Sequence, residues 1–403
     1  MHIGFITRWD AASHWGGDLA VVNGLIRGLT SIGHKATAAT SPFSMPDADM
    51  FFLTNSTDDQ RKNLEELELL HKPFNVLGFH EDLLLYYSAA TGMRNFIFMC
   101  LGYDLPLNNN LRDDSDYDID MLFELPHIIH YYGKVLKRCT LYNHHLIRKA
   151  KLWVANSVTE ARTMQRDCPG CKTAVVPVAP GMVTSFKDQP DDSFLKYTGL
   201  SSGNYLLQVG RLQLRKNQLG TILASKDLDI PLVFIATRAF SPDYEEACFK
   251  AAAHFRKAPT LFISENLRDL KMNAARVLFM PNDKKLPASM LISAYHHAGL
   301  HIHPAFQELP GATYLEAARL GTPSIASSWT TIDDYFYDKS LGHAQLDGRI
   351  LYTPPHHLKE IKQAIEQLFG KRFPPLENHP ALQRTEAEAA QDLIDAVSTR
   401  VSS

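Results

Sequence analysis

The sequence predicts an α/β protein with two doubly wound parallel sheets that face each other across a cleft. Short apolar, strand-like runs alternate with helical stretches in the N-terminal half, and this alternation favours parallel sheets covered by helices on both faces. A polar segment at 188–203, with Pro190, Gly199 and Gly203, interrupts the pattern before it resumes. At 403 residues, the chain is also too long for one typical hydrophobic core. We therefore predict domains at 1–187 and 204–375, joined by this linker.

The first domain begins with the strand-like run HIGFIT, followed by Gly16 and Gly17 and then by a helix-like run in which apolar residues recur at helical spacing up to Gly33. The interval from Leu83 to Arg148 is less regular, but its second half, LPHIIHYYGKVLKRCTLYNHHLIRKA, predicts one long helix. The remaining strand candidates of this domain are KATAAT, ADMFFLT, KPFNVLGFH, LWVANS and AVVPVA.

The second domain repeats the pattern. Helical stretches such as PDYEEACFKAAAHFRK and PASMLISAYHHA separate its strand-like runs. Residues 376–403 contain TEAEAAQDLIDAVSTRV and predict a terminal helix. The strand candidates are NYLLQVG, PLVFIAT, TLFIS, VLFMP, GLHIHPA, TPSIAS and RILYT.

Composition excludes several classes of function. The net charge of −3 argues against a nucleic-acid partner held mainly through phosphates. No apolar run reaches the length of a membrane span, and the N-terminus has no signal-peptide pattern. Five scattered cysteines favour reduced thiols in the cytoplasm. Cys168 and Cys171 form a lone CxxC without two further ligands, and we predict no metal site.

Glu308 and Glu316 lie in PAFQELPGATYLEAARLGTPSIAS, which predicts strand, loop and helix in succession. Thr313 is the predicted N-cap, and Gly321 suits the residue after the helix. Free N–H groups at the helix start can receive an anion, so the two carboxylates could flank a bound sugar, diphosphate and ribose. The alternative is that Glu316 only completes a capping box with Thr313 and that Glu308 is a solvated loop acid.

Arg211 and Lys216 follow the strand LLQVG and place two cations at the rim of the predicted cleft. Fixed cations stabilise a diphosphate leaving group more strongly as its bond breaks. A solvated basic turn is the alternative interpretation.

These segments resemble the E-x7-E and VGRL-lysine motifs of retaining glycosyltransferases of family 4, which have the GT-B architecture of two facing Rossmann-like domains. The resemblance implies that Glu308 lies by the donor sugar, that Glu316 binds ribose hydroxyls, and that Arg211 and Lys216 hold the diphosphate. It also implies that the terminal helix crosses back to the first domain, whose irregular interval is the acceptor side. The usual Gly-Phe-Gly-Leu-Pro is replaced here by 309–313, so the donor sugar stays open.

In the first domain, His80 ends the strand NVLGFH and resembles the family's histidine at the reaction centre. Gly16 and Gly17 resemble a pair that contacts donor phosphate or acceptor. The alternatives are a structural histidine and a tight turn without a ligand. NSVTEAR is interpreted as a simple helix cap, by Ser157 or Thr159, rather than a ligand site.

The resemblance thus implies a retaining glycosyltransferase that moves a sugar from a UDP- or GDP-sugar to an acceptor hydroxyl on a glycan, a lipid-linked carrier or another acceptor, without a further cofactor. A nucleotide-sugar 2-epimerase and a non-catalytic nucleotide-sugar-binding subunit are the alternatives. The basic, aromatic stretch from Lys134 to Lys151 is interpreted as a packed helix, with contact to the inner face of the membrane as the alternative. The predicted catalytic residues are His80 and Glu308, and the predicted donor-binding residues are Gly16, Gly17, Arg211, Lys216, Pro310, Gly311, Ala312, Thr313 and Glu316.

Overall fold

The computed structural model describes most of the chain. The described residues are 1–9, 11, 16–56, 60–102, 118–133, 144–179, 189–236, 242–264, 276–281, 286–309, 311–332, 334, 337–338, 343–344, 348–376 and 379–401.

The first sheet has six described strands, all parallel, in the order β2-β1-β3-β4-β5-β6. Ile3 pairs with Ala36 on one side and with Met50 on the other, so the strand order reverses at β1. The strands are β1 (His2–Ile6), β2 (Lys35–Ala39), β3 (Met50–Thr54), β4 (Phe74–Leu77), β5 (Trp153–Ala155) and β6 (Thr173–Val175).

The second sheet has seven described strands, also parallel, in the order β10-β9-β8-β7-β11-β12-β15. The two predicted doubly wound sheets are therefore confirmed. The strands are β7 (Leu206–Val209), β8 (Leu232–Ile235), β9 (Thr260–Ser264), β10 (Val277–Pro281), β11 (Leu300–His303), β12 (Ser324–Ser327) and β15 (Ile350–Thr353), with a separate antiparallel pair, β13 (Tyr337–Asp338) and β14 (His343–Ala344).

Helices follow most strands. They are α1 (Gly17–Ser31), α2 (Arg61–Leu69), α3 (Leu83–Cys100), α4 (Met121–Glu124), α5 (Ile128–Tyr132), α6 (Val158–Asp167), α7 (Ser193–Thr198), α8 (Gln218–Ala224), α9 (Pro242–Phe255), α10 (Ala288–His297), α11 (Ala312–Arg319), α12 (Leu358–Leu368), α13 (Pro380–Gln383) and α14 (Glu386–Val401), with short 3-10 turns at Pro42–Ser44, Ile147–Lys149 and Leu214–Lys216.

Helix α3 was not predicted, because its sequence, LLLYYSAATGMRNFIFMC, is apolar almost all round and shows little helical periodicity. It packs against α5, and it also reaches the helices of the second sheet. Met93 and Phe96 lie in the same buried cluster as Leu219 of α8 and Tyr244 of α9. Residues of α3 to α5 therefore pack into the apolar core of the second sheet.

The prediction of one long helix from Leu125 to Ala150 is wrong. Helix α5 ends at Tyr132, and Gly133 has an extended backbone with φ −77° and ψ 145°. A Cβ on Gly133 would lie 2.1 Å from the carbonyl oxygen of Ser88 in α3, so the chain passes α3 where only glycine fits. The basic residues at 134–143 lie outside the described part of the chain.

The C-terminal helix α14 packs against α1. Arg27 of α1 donates to Glu386 with an Nε–Oε2 distance of 3.0 Å, and the nearby Gly28 allows the close approach, since its Cβ would lie 2.1 Å from the carbonyl oxygen of Glu386. Among the described residues, no helix combines the length and apolar character that would span a bilayer.

Candidate functional site

The two sheets bring together loops at the points where their strand order reverses. In the first sheet this point lies between β1 and β3, and in the second between β7 and β11, where Leu206 pairs with Leu300. Ligands of open α/β sheets bind outside the carboxyl ends of strands at such points. The loops after β1, β7 and β11 carry most of the predicted site residues.

Gly16 and Arg211 lie in contact across the two sheets. A Cβ on Gly16 would lie 2.1 Å from Nη2 of Arg211 and 2.4 Å from Oδ1 of Asp18. Asp18 in turn accepts from Nε of Arg8 at 2.8 Å. Gly17 has open space where a Cβ would be, so only Gly16 is sterically required here. The structure therefore joins the predicted glycine turn to one of the two predicted cations.

Glu308 lies buried among cationic groups, with only 6% of its surface exposed. Its Oε2 accepts a hydrogen bond from Nζ of Lys216, lies 3.2 Å from Nε2 of His303, and lies 3.7 Å from Nη1 of Arg215. The alternative of a solvated loop acid is therefore wrong. Of the predicted residues, Glu308 and Lys216 are the pair that the tertiary structure brings together most closely.

Charge holds Glu308 ionised. Burial alone would raise its pKa, but Lys216, His303 and Arg215 outweigh burial and lower the pKa well below the usual range of a glutamate. Burial and the nearby charge of Arg215 lower the pKa of Lys216 to about 8, although Glu308 opposes that shift. Burial also lowers the pKa of His303, which favours a neutral ring that donates through Nε2.

Arg215 was not predicted, although it directly precedes Lys216. Its Nε lies 3.4 Å from Oε1 of Glu81 in the first domain, and its Nη1 donates to the carbonyl oxygen of Gln307 at 3.1 Å. The N–H of Phe306 donates to the carbonyl oxygen of Arg215 at 2.8 Å. Arg215 therefore fastens the loop before Glu308. Two adjacent basic residues in the sequence LRK were the available signal, but the prediction assigned a role only to Lys216.

Helix α11 begins at Ala312, and its N-cap is Gly311 rather than the predicted Thr313. Gly311 has φ 81° and ψ 38°, a left-handed conformation that glycine adopts without strain, so the N-cap lies two residues earlier than predicted. Thr313 therefore lies in the first turn, and its buried Oγ1 has no hydrogen-bond partner in the described structure. The predicted capping box is wrong for the same reason. Pro310 lies outside the described residues.

Glu316 lies one turn inside α11 with 6% of its surface exposed. Burial raises its pKa to about 8; the charge of Glu308 adds to this shift, and the hydrogen bond from Tyr295 opposes it. The carboxyl group is therefore largely protonated at neutral pH, and it can both donate and accept hydrogen bonds. Tyr295, from α10, was not predicted because it is 21 residues away in sequence.

His80 is buried, with 4% exposure, and its ring is held within the first domain. Nδ1 lies 3.0 Å from Oγ of Ser56, and Nε2 lies 2.9 Å from Oδ2 of Asp167. Its backbone N–H donates to Glu160 at 2.7 Å. The neighbouring residue, Glu81, reaches the Glu308 cluster instead, since its Oε1 lies 3.4 Å from Nε of Arg215. The predicted helix cap is confirmed, and of its two candidates Ser157 is the N-cap of α6, since its hydroxyl accepts from the N–H of Glu160 at 3.1 Å.

Asn217 joins three loops of the second sheet. It adopts a left-handed conformation with φ 57° at the N-cap of α8, where its side chain accepts from the N–H of Gly220 at 3.1 Å. Its Nδ2 donates to the carbonyl oxygens of Pro304 at 2.8 Å and Pro355 at 2.6 Å. The loops after β7, β11 and β15 are therefore fixed together immediately beside Lys216.

Comparison with solved structures identifies the architecture. The Anabaena protein HepE, solved in complex with UDP and glucose, superposes with a TM-score of 0.57 over 98% of this chain and 99% of that one, at 13% identity. Sucrose-phosphate synthase from Thermosynechococcus elongatus gives 0.53 over 99% and 94%, at 15% identity. The lipopolysaccharide outer core galactosyltransferase WaaB gives 0.53 over 99% and 100%, at 12% identity. This chain has the GT-B fold.

The GT-B architecture confirms the fold that the sequence predicted. No protein-family model matches the chain, and no curated protein matches it significantly. At 12–15% identity the structural likeness shows the fold alone.

Proposed function

We propose that this protein is a glycosyltransferase that moves a sugar from a nucleoside diphosphate sugar, UDP- or GDP-linked, to an acceptor hydroxyl with retention of anomeric configuration. The observation that supports this most is the buried, ionised Glu308 held by Lys216 and Arg215 where the strand order reverses. An uncapped helix start at Gly311 lies three residues further on. Together they offer fixed cations and backbone N–H groups to an anionic donor.

Arg211, Arg215 and Lys216 would hold the diphosphate. Arginine can bind two phosphate oxygens at once, whereas lysine acts as a point charge. The backbone from 310 to Thr313 would contact the sugar and the adjacent phosphate. Gly16 and Gly17, at the start of α1, would add backbone N–H groups from the first domain. Each of these groups gains strength as negative charge develops on the leaving diphosphate.

Glu316 would bind the ribose. A protonated carboxyl group has one O–H donor and remaining acceptor sites. It can therefore donate a hydrogen bond to one ribose hydroxyl group and accept one from the neighbouring hydroxyl group. Glu308 would accept from hydroxyl groups of the donor sugar while it keeps Lys216 oriented. Both roles use carboxyl groups whose positions are fixed by surrounding side chains.

A front-face displacement fits these groups best. The bond between the anomeric carbon and the diphosphate oxygen breaks, the acceptor oxygen attacks from the same face, and its proton passes to the departing phosphate. A double displacement would require a carboxylate free to attack the anomeric carbon. Glu308 is instead occupied by Lys216 and His303. His80 would line the sugar side of the cleft, with its ring oriented by Ser56 and Asp167.

The decisive experiment begins with a thermal-shift screen of nucleotide sugars, because a ligand that binds the folded state stabilises it by mass action. Donors that bind are then tested for transfer to glycans and lipid-linked carriers. We expect Arg211→Ala and Glu316→Ala to lower kcat/KM by roughly 100-fold each, as expected for loss of charged or paired contacts to the donor. Normal donor affinity and rate in both variants would reject the proposal.

Two controls separate the alternatives. Incubation with donor alone would yield a new sugar nucleotide if the protein were a 2-epimerase. Donor binding without turnover across the acceptor panel would indicate a non-catalytic subunit. An unchanged rate in His80→Ala would restrict that residue to a structural role.

A further inference from the structure

Three histidines converge at a place that the proposed donor site does not use. His127 immediately precedes α5, and His356 and His357 immediately precede α12. Their ligand nitrogens all lie within 4.8 Å of one another. The ring centroids of His356 and His357 are 4.4 Å apart, and that of His127 lies 5.7 Å and 5.6 Å from them. Residues more than 200 positions apart thus present imidazoles to a common point.

Two histidines of this cluster have buried ring nitrogens that lack a hydrogen-bond partner within the described structure. His356 is only 5% exposed, yet within the described structure neither of its ring nitrogens has a hydrogen-bond partner. Nε2 of His357 is also buried without a partner there. Buried polar side-chain atoms are usually hydrogen-bonded, and a bound ion or an ordered water can satisfy the exceptions.

The local chemistry suits a metal ion. Neutral imidazole nitrogens are ligands that divalent transition metals readily accept. Nδ1 of His357 lies 2.7 Å from Oε1 of Glu360, which leaves Nε2 as the coordinating atom. A carboxylate that orients a histidine in this way is typical of zinc sites.

We propose that His127, His356 and His357 bind one divalent transition-metal ion, with Zn²⁺ as the chemical type. Three imidazoles leave a fourth position for water, as in open zinc sites, or for His130, whose ring centroid lies 5.5 Å from that of His356. Bonds of about 2.0–2.1 Å imply nitrogen separations of about 3.3 Å, so modest side-chain rotations complete the site.

The ion would link the segment before α5 to the segment before α12. His127 belongs to the segment that packs on α3, whereas His356 lies next to Pro355, whose carbonyl oxygen accepts from Asn217. The Trp329 ring lies 5.1 Å from that of His356 and 6.0 Å from that of Phe306, in the loop before Glu308. The metal site is therefore separate from the donor contacts but shares their supporting loops. It does not depend on the proposed transferase activity.

The test uses chelator-treated full-length protein and isothermal titration with ZnCl₂ and with NiCl₂. We expect the wild type to bind one equivalent of metal ion and His127→Ala to bind it at least about tenfold more weakly. Loss of a residue that only orients a ligand already lowers metal affinity by about 10–100-fold, and loss of the ligand itself should cost more. His127 is exposed, so its removal should leave folding intact. Ni²⁺ should also quench the fluorescence of Trp329, and Trp329→Phe should remove that quenching while it keeps the binding.

His254→Ala, which removes an exposed histidine on α9, is the matched control and should bind like the wild type. The triple variant, with alanine at positions 127, 356 and 357, should no longer bind one equivalent of metal ion, and circular dichroism verifies that it is folded. If the triple variant is unfolded, the His127→Ala result decides. Absence of a stoichiometric equivalent in the wild type, or wild-type affinity in His127→Ala, would overturn the proposal.

Discussion

Nζ of Lys216 donates a hydrogen bond to Oε2 of Glu308, and both residues are buried. The pair links the loop after β7 to the loop after β11, across the point where the strand order reverses. Two opposite charges removed from water stabilise each other only while both are present, because each would otherwise face a large desolvation penalty. Loss of either charge is therefore expected to destabilise the two loops that the pair connects.

Replacement of Lys216 by Met should lower the free energy of unfolding by about 3 kcal/mol, since it leaves the buried carboxylate of Glu308 without its nearest cation. Urea unfolding measures the effect. Lys359→Met is the matched control, because Lys359 pairs with Glu124 at an exposed position, where such pairs contribute about 0–1 kcal/mol. Equal losses in the two variants would contradict the buried-pair interpretation.

Glu316 should make stability fall as the pH rises. Its folded-state pKa, raised to about 8, exceeds the unfolded value near 4.5, so the folded state holds a proton that the unfolded chain has lost. The stabilisation is complete below about pH 4.5 and disappears as the pH passes through 8. Glu316→Gln, which does not titrate, should therefore gain at least about 1 kcal/mol relative to the wild type between pH 5 and 8. Parallel pH profiles in urea unfolding would disprove the shift.

Gly16→Ala should displace Arg211, because the new Cβ would lie 2.1 Å from its Nη2 and 2.4 Å from Oδ1 of Asp18. If the proposed function holds, kcat/KM for the donor should fall at least about tenfold, since small misplacement of a charged group weakens transition-state binding. Unfolding measurements should show a loss of stability. Gly17→Ala, which meets open space, is the comparison for stability alone and should be neutral or slightly stabilising.

Asn217→Asp should destabilise the second sheet by about 2–4 kcal/mol, because an isosteric carboxylate cannot donate to Pro304 and Pro355 and instead faces their carbonyl oxygens. Chemical denaturation tests this value. Asn204→Asp makes the same chemical change on an exposed loop and should cost less than about 0.5 kcal/mol. A loss in Asn217→Asp no larger than in this control would show that the three-loop connection contributes little.

The strands were predictable because parallel strands covered on both faces are short apolar runs. All four residues of β8, LVFI, are buried, as an uninterrupted apolar run predicts. The residues of β11, LHIH, and β12, SIAS, are buried as well, although half of them are polar. The site was predictable only in part. The spacing of Glu308, Arg211 and Lys216 pointed to loops that the structure brings together, whereas the contacts of Arg215 and His303 with Glu308 were missed because they form between segments far apart or buried in the fold.

Predictions from side-chain propensity were wrong at two places where a glycine determines the backbone conformation. Thr313 is a good N-cap residue, but Gly311 can adopt a left-handed conformation, and the helix therefore begins before Thr313 is reached. The helix predicted through Gly133 failed because packing against Ser88 decided the conformation there. In both places a glycine, whose effect depends on its surroundings, outweighed side-chain propensity.

The sequence by itself determined the two-sheet α/β architecture, since the hydrophobic pattern of each strand and helix is a local property. It also placed the glutamate and basic loops at strand ends. Only the tertiary structure decided which side chains meet: Glu308 with Lys216 and Arg215, Gly16 with Arg211, and His127 with His356 and His357. The physical reason is that charge pairing, pKa and metal coordination depend on distances of a few ångströms between residues that are far apart along the chain.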